Sequence, residues 1–452
     1  MQASPFDALV DDRPDEGIFR VHRKAFVDAQ IFEQELQRIF GATWVFLGLE
    51  DQVSQPHDYL TWSIGRTPVV VSRSSDGQLR GFINACRHKG AMVVTRERGN
   101  ARRHTCPYHA WVYDAAGRNV SIKAGQVPGC YGEQFEREDH DLLPLPALAV
   151  YRGLIFGSLN PSVEPLHSYL GDMRVLLDLI LDQGEHGMEF VPGKSSYTFN
   201  GNWKLQMDNG IDYYHLTSAH VSYMSVLGRR KQGQGNQDAR SASWERRIQQ
   251  RSGMFGFDKG HVTLWMDQPE PGKRPIFEYR DELRARVGEL RLEWMFRPRQ
   301  YLIFPNLQFA DSSTTLLRTF RPLSPSRTEM RLYCLAPKGE PESSRLLRMR
   351  QFEDFFAASG LATPDDSVLY ERCQRGMEAG ELEWLQGYAR AIPVQQLGPT
   401  PESAELGITP SVSVCGEFDL QNEVAFLPPW RAWKRMMQAG GASGEGAAPA
   451  AA

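Results

Sequence analysis

NACRHKGAMVVTRERGNARRHTCPYHAW, residues Asn84 to Trp111, decides the reading of this chain. Cys86 and His88 form a Cys-x-His pair, and Cys106 and His109 a Cys-x-x-His pair, with 17 residues between them. Two thiols and two imidazoles in two short loops make a metal-binding signature. Structural zinc accepts such a set, but zinc-finger ligands usually pair Cys with Cys and His with His along the chain. Here each loop supplies one of each.

That donor set suits a Rieske 2Fe–2S cluster, in which two Cys hold one iron and two His hold the other. Neutral imidazoles leave the cluster less negative than four thiolates would, which raises its potential and fits it to relay single electrons. Pro107 and Trp111 frame the second loop.

Outward from this stretch, 452 residues with 41% hydrophobic content are enough for two or three domains with real cores. The net charge of −4, with Lys and Arg scattered, points to no nucleic-acid partner. No apolar run reaches membrane-spanning length and the polar N-terminus does not resemble a signal peptide, so a cytoplasmic protein without a membrane partner is expected. Cys130, Cys334, Cys373 and Cys415 are far apart in sequence and are expected as reduced thiols.

In chain order, residues 1–41 read as a polar, mobile segment to about Glu16, then a helix capped by Asp28 with Phe32, Leu36, Ile39 and Phe40 on one face. Residues 42–158 read as a small all-β domain. Its strands are Tyr59 to Ile64, Pro68 to Ser72 and Leu79 to Ile83, with turns at Ser75-Asp76-Gly77 and Asp114 to Gly117. Loops on a rigid sheet can hold four ligands in place. Residues 159–438 read as an α+β domain, an antiparallel sheet flanked by helices. Helices are expected at Tyr169 to Gln183, Pro341 to Ala358 and after Pro364, and strands at Ser195 to Phe199, Gln300 to Phe309, Thr314 to Phe320 and Thr328 to Leu335. The tail 439–452, AGGASGEGAAPAAA, is low in complexity and expected to be disordered.

Within the second domain, Gly201 to His220 (GNWKLQMDNGIDYYHLTSAH) carries a second set of candidates. His215 and His220 are five apart, a rotation of about 140° on an ideal helix, so one ion can take both only if the helix ends or distorts between them. Asp212 lies three residues before His215. On spacing alone these residues are equally readable as a surface acid and two half-buried histidines. A one-electron relay upstream calls for an acceptor, and iron held by two His and one carboxylate leaves positions open for oxygen. Asp365-Asp366 are the candidate carboxylates, although Thr363 as N-cap, Pro364 and two acids also make an ordinary helix start.

The chain resembles the large (α) subunit of Rieske non-haem iron ring-hydroxylating dioxygenases, and within them the benzoate/anthranilate/halobenzoate branch. The similarity runs from about Leu9 to Trp433. It rests on the Cys86/His88/Cys106/His109 motif, Asn202-Trp203-Lys204, the Asp212–His215–His220 spacing, and FEDFFAASGLATPDD from Phe352 to Asp366. The resemblance implies that His215, His220 and Asp366 bind a mononuclear Fe(II), and that Asp212 links a ligand His to a cluster His of a neighbouring subunit. It also implies a trimer of α subunits, alone or with three small β subunits, fed by NADH through a reductase. The expected reaction adds both atoms of O₂ to an aromatic carboxylate, giving a cis-diol or a catechol.

The sequence departs from that branch at Lys89, Ala110, Asp208 and Tyr213-Tyr214, none of them a ligand. A monooxygenase or demethylase on the same scaffold would share every ligand, and an electron-transfer Rieske protein would need only the first motif. An aromatic acid calls for an Arg, a Lys or a backbone donor at its carboxylate; the sequence does not single one out.

Overall fold

The computed structural model describes residues 6–223, 225–226, 229, 250–268, 270–417 and 422–439. It divides into two compact units, Phe40–Leu166 and Met1–Ile39 with His167–Ala452. The tail expected to be disordered falls, apart from Ala439, outside the described residues. Among the described residues no helix is long and apolar enough to cross a membrane.

Unit Phe40–Leu166 is built from three small antiparallel sheets. One contains Asp58–Ile64, Thr67–Arg73, Leu79–Ile83 and Arg98–Asn100, another Arg103–Thr105, Val112–Asp114 and Asn119–Ser121. The strands at 58–64, 67–73 and 79–83 match the pattern read from the sequence. Their inward residues Tyr59, Val70 and Phe82 join Val93, Val94, Trp111 and Tyr113 in a core that also encloses Cys86 and Cys106. Gly117 closes the turn after the second ligand loop at φ +80, and a Cβ there would lie 2.3 Å from the Phe82 ring.

The other unit holds a ten-stranded antiparallel sheet. Towards one end of it Leu307–Asp311, Thr315–Ser324 and Arg327–Pro337 are neighbours, and Ser195–Phe199 pairs with Arg327–Pro337. Because side chains alternate along a strand, Thr315–Ser324 shows two faces. Thr315 receives the Arg348 guanidinium of helix Glu342–Phe355. Phe320, of opposite parity, stacks near Trp203 of helix Trp203–Asn209. Helix Trp203–Asn209, which ends beside two candidate ligands, therefore covers one face and Glu342–Phe355 the other.

Four local expectations are corrected. The N-terminal segment is an ordered hairpin, Val10–Arg13 with Ile18–His22, because Leu9, Val10, Phe19 and Val21 are buried and Asp12 pairs with Arg431 at 2.7 Å. The helix begun by Asp28, whose carboxylate accepts from the Gln30 and Ile31 amides, changes to a π-helical turn at Leu36–Phe40. The helix expected over 169–183 is two, Leu166–Leu170 and Met173–Leu181, interrupted at Gly171 with φ +50. The strand expected over 300–309 is also two, Arg299–Ile303 and Leu307–Asp311. They meet at a turn containing Pro305, which lacks the N–H a ladder needs.

Candidate functional site

The two Cys/His loops repeat one backbone design. The Cys86 N–H donates to the Ala91 carbonyl and the Cys86 carbonyl accepts from Gly90 N–H, both at 2.8 Å. Cys106 does the same with Trp111 (2.8 Å) and Ala110 (3.0 Å). Each loop turns through a left-handed residue, Gly90 at φ 74 and Ala110 at φ 57. That conformation costs a residue with a Cβ on the order of 1 kcal/mol, which is the physical reason glycine suits position 110.

Both thiols are buried, whereas His88 and His109 are only half-buried. The Nδ1 atoms of the two rings face each other at 3.0 Å. The donor set is therefore polarised, sulfur inside and nitrogen outside, and the two nitrogens converge on one point. This fits a cluster with a thiolate-bound inner iron and an imidazole-bound outer iron. Three side chains hold the loops, of which Asn84 and Tyr113 were not singled out from the sequence. The buried Asn84 carboxamide oxygen accepts from the Val93 and Val94 amides (3.1 and 2.9 Å) and its nitrogen donates to the Val94 carbonyl. Tyr113 places its hydroxyl 3.3 Å from Cys86 Sγ, and burial raises its phenol well above the ordinary value, so it stays a donor. Trp111 stacks on the His88 ring at 11°.

The second set assembles inside the other unit. His215 precedes and His220 ends a single helical turn, Leu216–Ala219; His220 has ψ 35 and so leaves the helix. The interruption the five-residue spacing required is there. The two rings come to 5.2 Å between centroids. Asp366 Oδ1 lies 3.6 Å from His215 Nε2 and 3.5 Å from His220 Nε2, and one ligand atom from each residue falls within 4.8 Å of the others.

The opposite ring nitrogens are each turned to a different carboxylate. Asp212 Oδ2 is 3.0 Å from His215 Nδ1, and Asp365 Oδ2 is 3.5 Å from His220 Nδ1. Histidines that bind metals typically give their second nitrogen to such an acceptor, which fixes the tautomer and aims the first. Burial opposes a charged His215, but Asp212 and Asp366 outweigh it and raise its pKa; at His220 burial prevails and lowers it. Two imidazoles and one carboxylate are a non-haem iron donor set with positions left open. Asn209 Nδ2 sits 3.3 Å from His215 Nε2 and 3.2 Å from Asp366 Oδ1.

The helix start is where the sequence put it, with Pro364 and both aspartates in the first turn, but Thr363 is not its cap. Helix Thr363–Met377 has Ala362 at its N-cap with no side-chain cap, and Thr363 instead donates to the Phe356 carbonyl at 2.9 Å. From that first turn Asp366 faces both histidines and Asp365 faces His220.

Helix Trp203–Asn209 is anchored before it delivers these residues. Asn202 caps it. Lys204, fully buried, gives its ammonium to Glu35 at 2.6 Å, and the same carboxylate accepts from the Trp203 and Trp433 indoles (2.8 and 2.7 Å). Gln308 of the sheet donates to the Gln206 and Met207 carbonyls at the far end (both 3.1 Å). Gly210 permits that approach, since a Cβ there would lie 2.0 Å from the Gln308 amide. Asp208 is half-buried between Trp430 Nε1 and Tyr388 Oη (both 3.1 Å), and loss of water around its carboxyl pushes it up to about 8.

Comparison with known proteins agrees with this geometry. Residues 43–131 match the Rieske [2Fe-2S] domain and residues 189–396 the ring hydroxylating alpha subunit (catalytic domain). The chain is 38% identical to the 2-halobenzoate 1,2-dioxygenase large subunit of Burkholderia cepacia, over 95% of this chain and 92% of that one. It is 36% identical to the toluate 1,2-dioxygenase subunit alpha of Pseudomonas putida, over 95% and 94%. The crystal structure of naphthalene 1,2-dioxygenase from Rhodococcus sp. bound to indole superposes with a TM-score of 0.79 at 28% identity, covering 93% of this chain and 94% of that one.

Proposed function

From the premise that the chain belongs to the ring-hydroxylating alpha subunits and carries a Rieske 2Fe–2S domain, we propose that it is the oxygenase large subunit of a dioxygenase acting on an aromatic carboxylate. Its similarity to 2-halobenzoate, toluate and anthranilate 1,2-dioxygenases supports that substrate class. The observation that carries the reading is the convergence of His215 Nε2, His220 Nε2 and Asp366 Oδ1, with each opposite ring nitrogen facing a further carboxylate.

In this proposal Cys86, Cys106, His88 and His109 hold the cluster, and His215, His220 and Asp366 hold the iron. When bound, the cluster supplies single electrons drawn from NADH through a reductase, and the iron supplies a site for O₂ activation. The chain does the rest. Asp212 fixes His215 in the tautomer that presents Nε2, and Asp365 does so for His220. Phe355, 5.5 Å from the His220 ring and packed against Tyr223, keeps that side of the site apolar and limits water.

The proposed assembly is a trimer of this subunit, with or without a small β subunit. Asp212 would then connect His215 to a cluster His of the neighbouring copy. Single turnover of reduced, iron-loaded protein with a panel of aromatic acids under ¹⁸O₂ tests the reading by mass spectrometry. Two labelled atoms in one product are expected. One labelled atom would make the protein a monooxygenase, and no product from iron-replete material would reject the substrate class.

A further inference from the structure

We propose that Arg318 is the residue that receives the substrate carboxylate, an assignment that rests on the aromatic-carboxylate reading above. Cross-strand register places it. Gln308, Arg318, Leu332 and Ser195 are directly opposite one another across four strands. The Gln308 side chain reaches the carbonyls of helix Trp203–Asn209, whose last residue, Asn209, touches His215 and Asp366, so this row points to the face beside the candidate iron ligands. Arg318 shares that face, because its Nε donates to Gln308 Oε1 at 2.8 Å. Two residues along each strand, and so on the same face, stand Phe320, Met330 and Tyr197.

The decisive feature is what Arg318 lacks. The three arginines buried most deeply in the sheet region all meet an internal carboxylate: Arg274 and Arg299 meet Asp311, and Arg348 meets Glu340. Arg318 is half-buried on the candidate iron face, and among the described residues it has one hydrogen bond, through Nε, and no carboxylate within ion-pair distance. Its Nη1 and Nη2 therefore present an open fork, and a guanidinium fork matches a carboxylate in bidentate fashion. A charge held in a partly dry site calls for a counter-ion. Gln308, itself locked to the ligand helix, fixes the fork's orientation. A bound acid would then lie with its carboxylate on the sheet and its ring towards His215, His220 and Asp366.

The test uses the assembled holoenzyme and measures equilibrium binding by calorimetry beside steady-state kinetics. Benzoate, 2-chlorobenzoate and anthranilate are each compared with their own carboxamide, a neutral molecule of nearly the same shape. In Arg318→Gln the acid bound best by the wild type should bind roughly 100-fold more weakly, with its amide within about threefold of wild type. Arg318→Lys keeps the charge without the fork and should lose about tenfold. The loss should appear in KM far more than in kcat, with an unchanged cluster spectrum. If Arg318→Gln keeps the wild-type preference for acid over amide, the assignment is wrong while the enzyme reading stands. Equal loss of acid and amide in both variants would make Arg318 a structural residue and overturn the assignment. Failure of the wild type to bind any of the acids would reject the substrate class and this assignment together.

Discussion

Replacing Glu35 by Leu should be among the most damaging changes in the chain, although Glu35 is far in sequence from every candidate ligand. Its carboxylate takes three donors, Lys204 Nζ, Trp203 Nε1 and Trp433 Nε1, and both it and Lys204 are fully buried. Burial already lowers the Lys204 pKa even with Glu35 present. Without Glu35 the ammonium must either stay charged in the core or give up its proton. Neutralising a lysine at pH 7 costs about 1.36 kcal/mol for each of roughly 3.4 pH units, or about 4.6 kcal/mol. Two stranded indole N–H groups add about 1 kcal/mol or more.

The expected loss for Glu35→Leu is therefore about 5 kcal/mol. Lys204→Met should cost about 2–3 kcal/mol, because Glu35 keeps its two indole donors. The double variant should be more stable than Glu35→Leu alone, since replacing a buried pair by apolar groups is often neutral while orphaning one partner is not. Urea unfolding followed by tryptophan fluorescence reads this, because Trp203 and Trp433 are themselves the reporters. Iron content should fall in the same order, as the helix so anchored leads directly to His215. If Lys204→Met proved as costly as Glu35→Leu, or if the two losses simply added, the pair would not be a coupled buried unit and the argument would fail.

Three further outcomes follow from the geometry. Tyr113→Phe removes a hydrogen bond to Cys86 Sγ and should lower the cluster potential by about 50 mV, a figure of one modest hydrogen bond at 59 mV per tenfold for one electron; protein-film voltammetry measures it, and an unchanged potential would show the hydroxyl does not act on the cluster. Asp208, pushed up to about 8 by burial, stabilises the fold as a neutral acid below about pH 4, and that contribution is lost as pH rises through about 8. Asp208→Asn should thus match wild type at low pH and exceed it by about 1–3 kcal/mol near pH 9, read as thermal midpoints across pH; parallel curves would contradict the burial argument. Gly210→Ala forces a Cβ against the locked Gln308 amide and should destabilise by about 1–3 kcal/mol, with reduced iron retention by elemental analysis, whereas full retention would mean the helix can slide on the sheet.

The parts of both sites that were legible in the sequence are those in which chemistry and spacing lie close together in the chain. Cys86, His88, Cys106 and His109 fall within one stretch, and the pairing of one Cys with one His in each loop separates the set from the usual zinc-finger order. The five-residue gap between His215 and His220 even required the break that occurs at His220. Asp366 was a different case. Pro364 and two acids at a helix start have a local explanation, and residues 363–366 alone cannot reveal that Thr363 bonds back to Phe356 instead of capping. The same limit hid Glu35, Gln308 and Arg318. Each acts through a partner brought in by strand register or helix packing, at a sequence separation of 169 residues for Glu35 and Lys204 and 102 for Gln308 and Gln206. An arginine in a strand is unremarkable until its neighbours are known. What distinguishes Arg318 is that, among the described residues, Arg274, Arg299 and Arg348 have carboxylates and it does not, a comparison that exists only in the folded sheet.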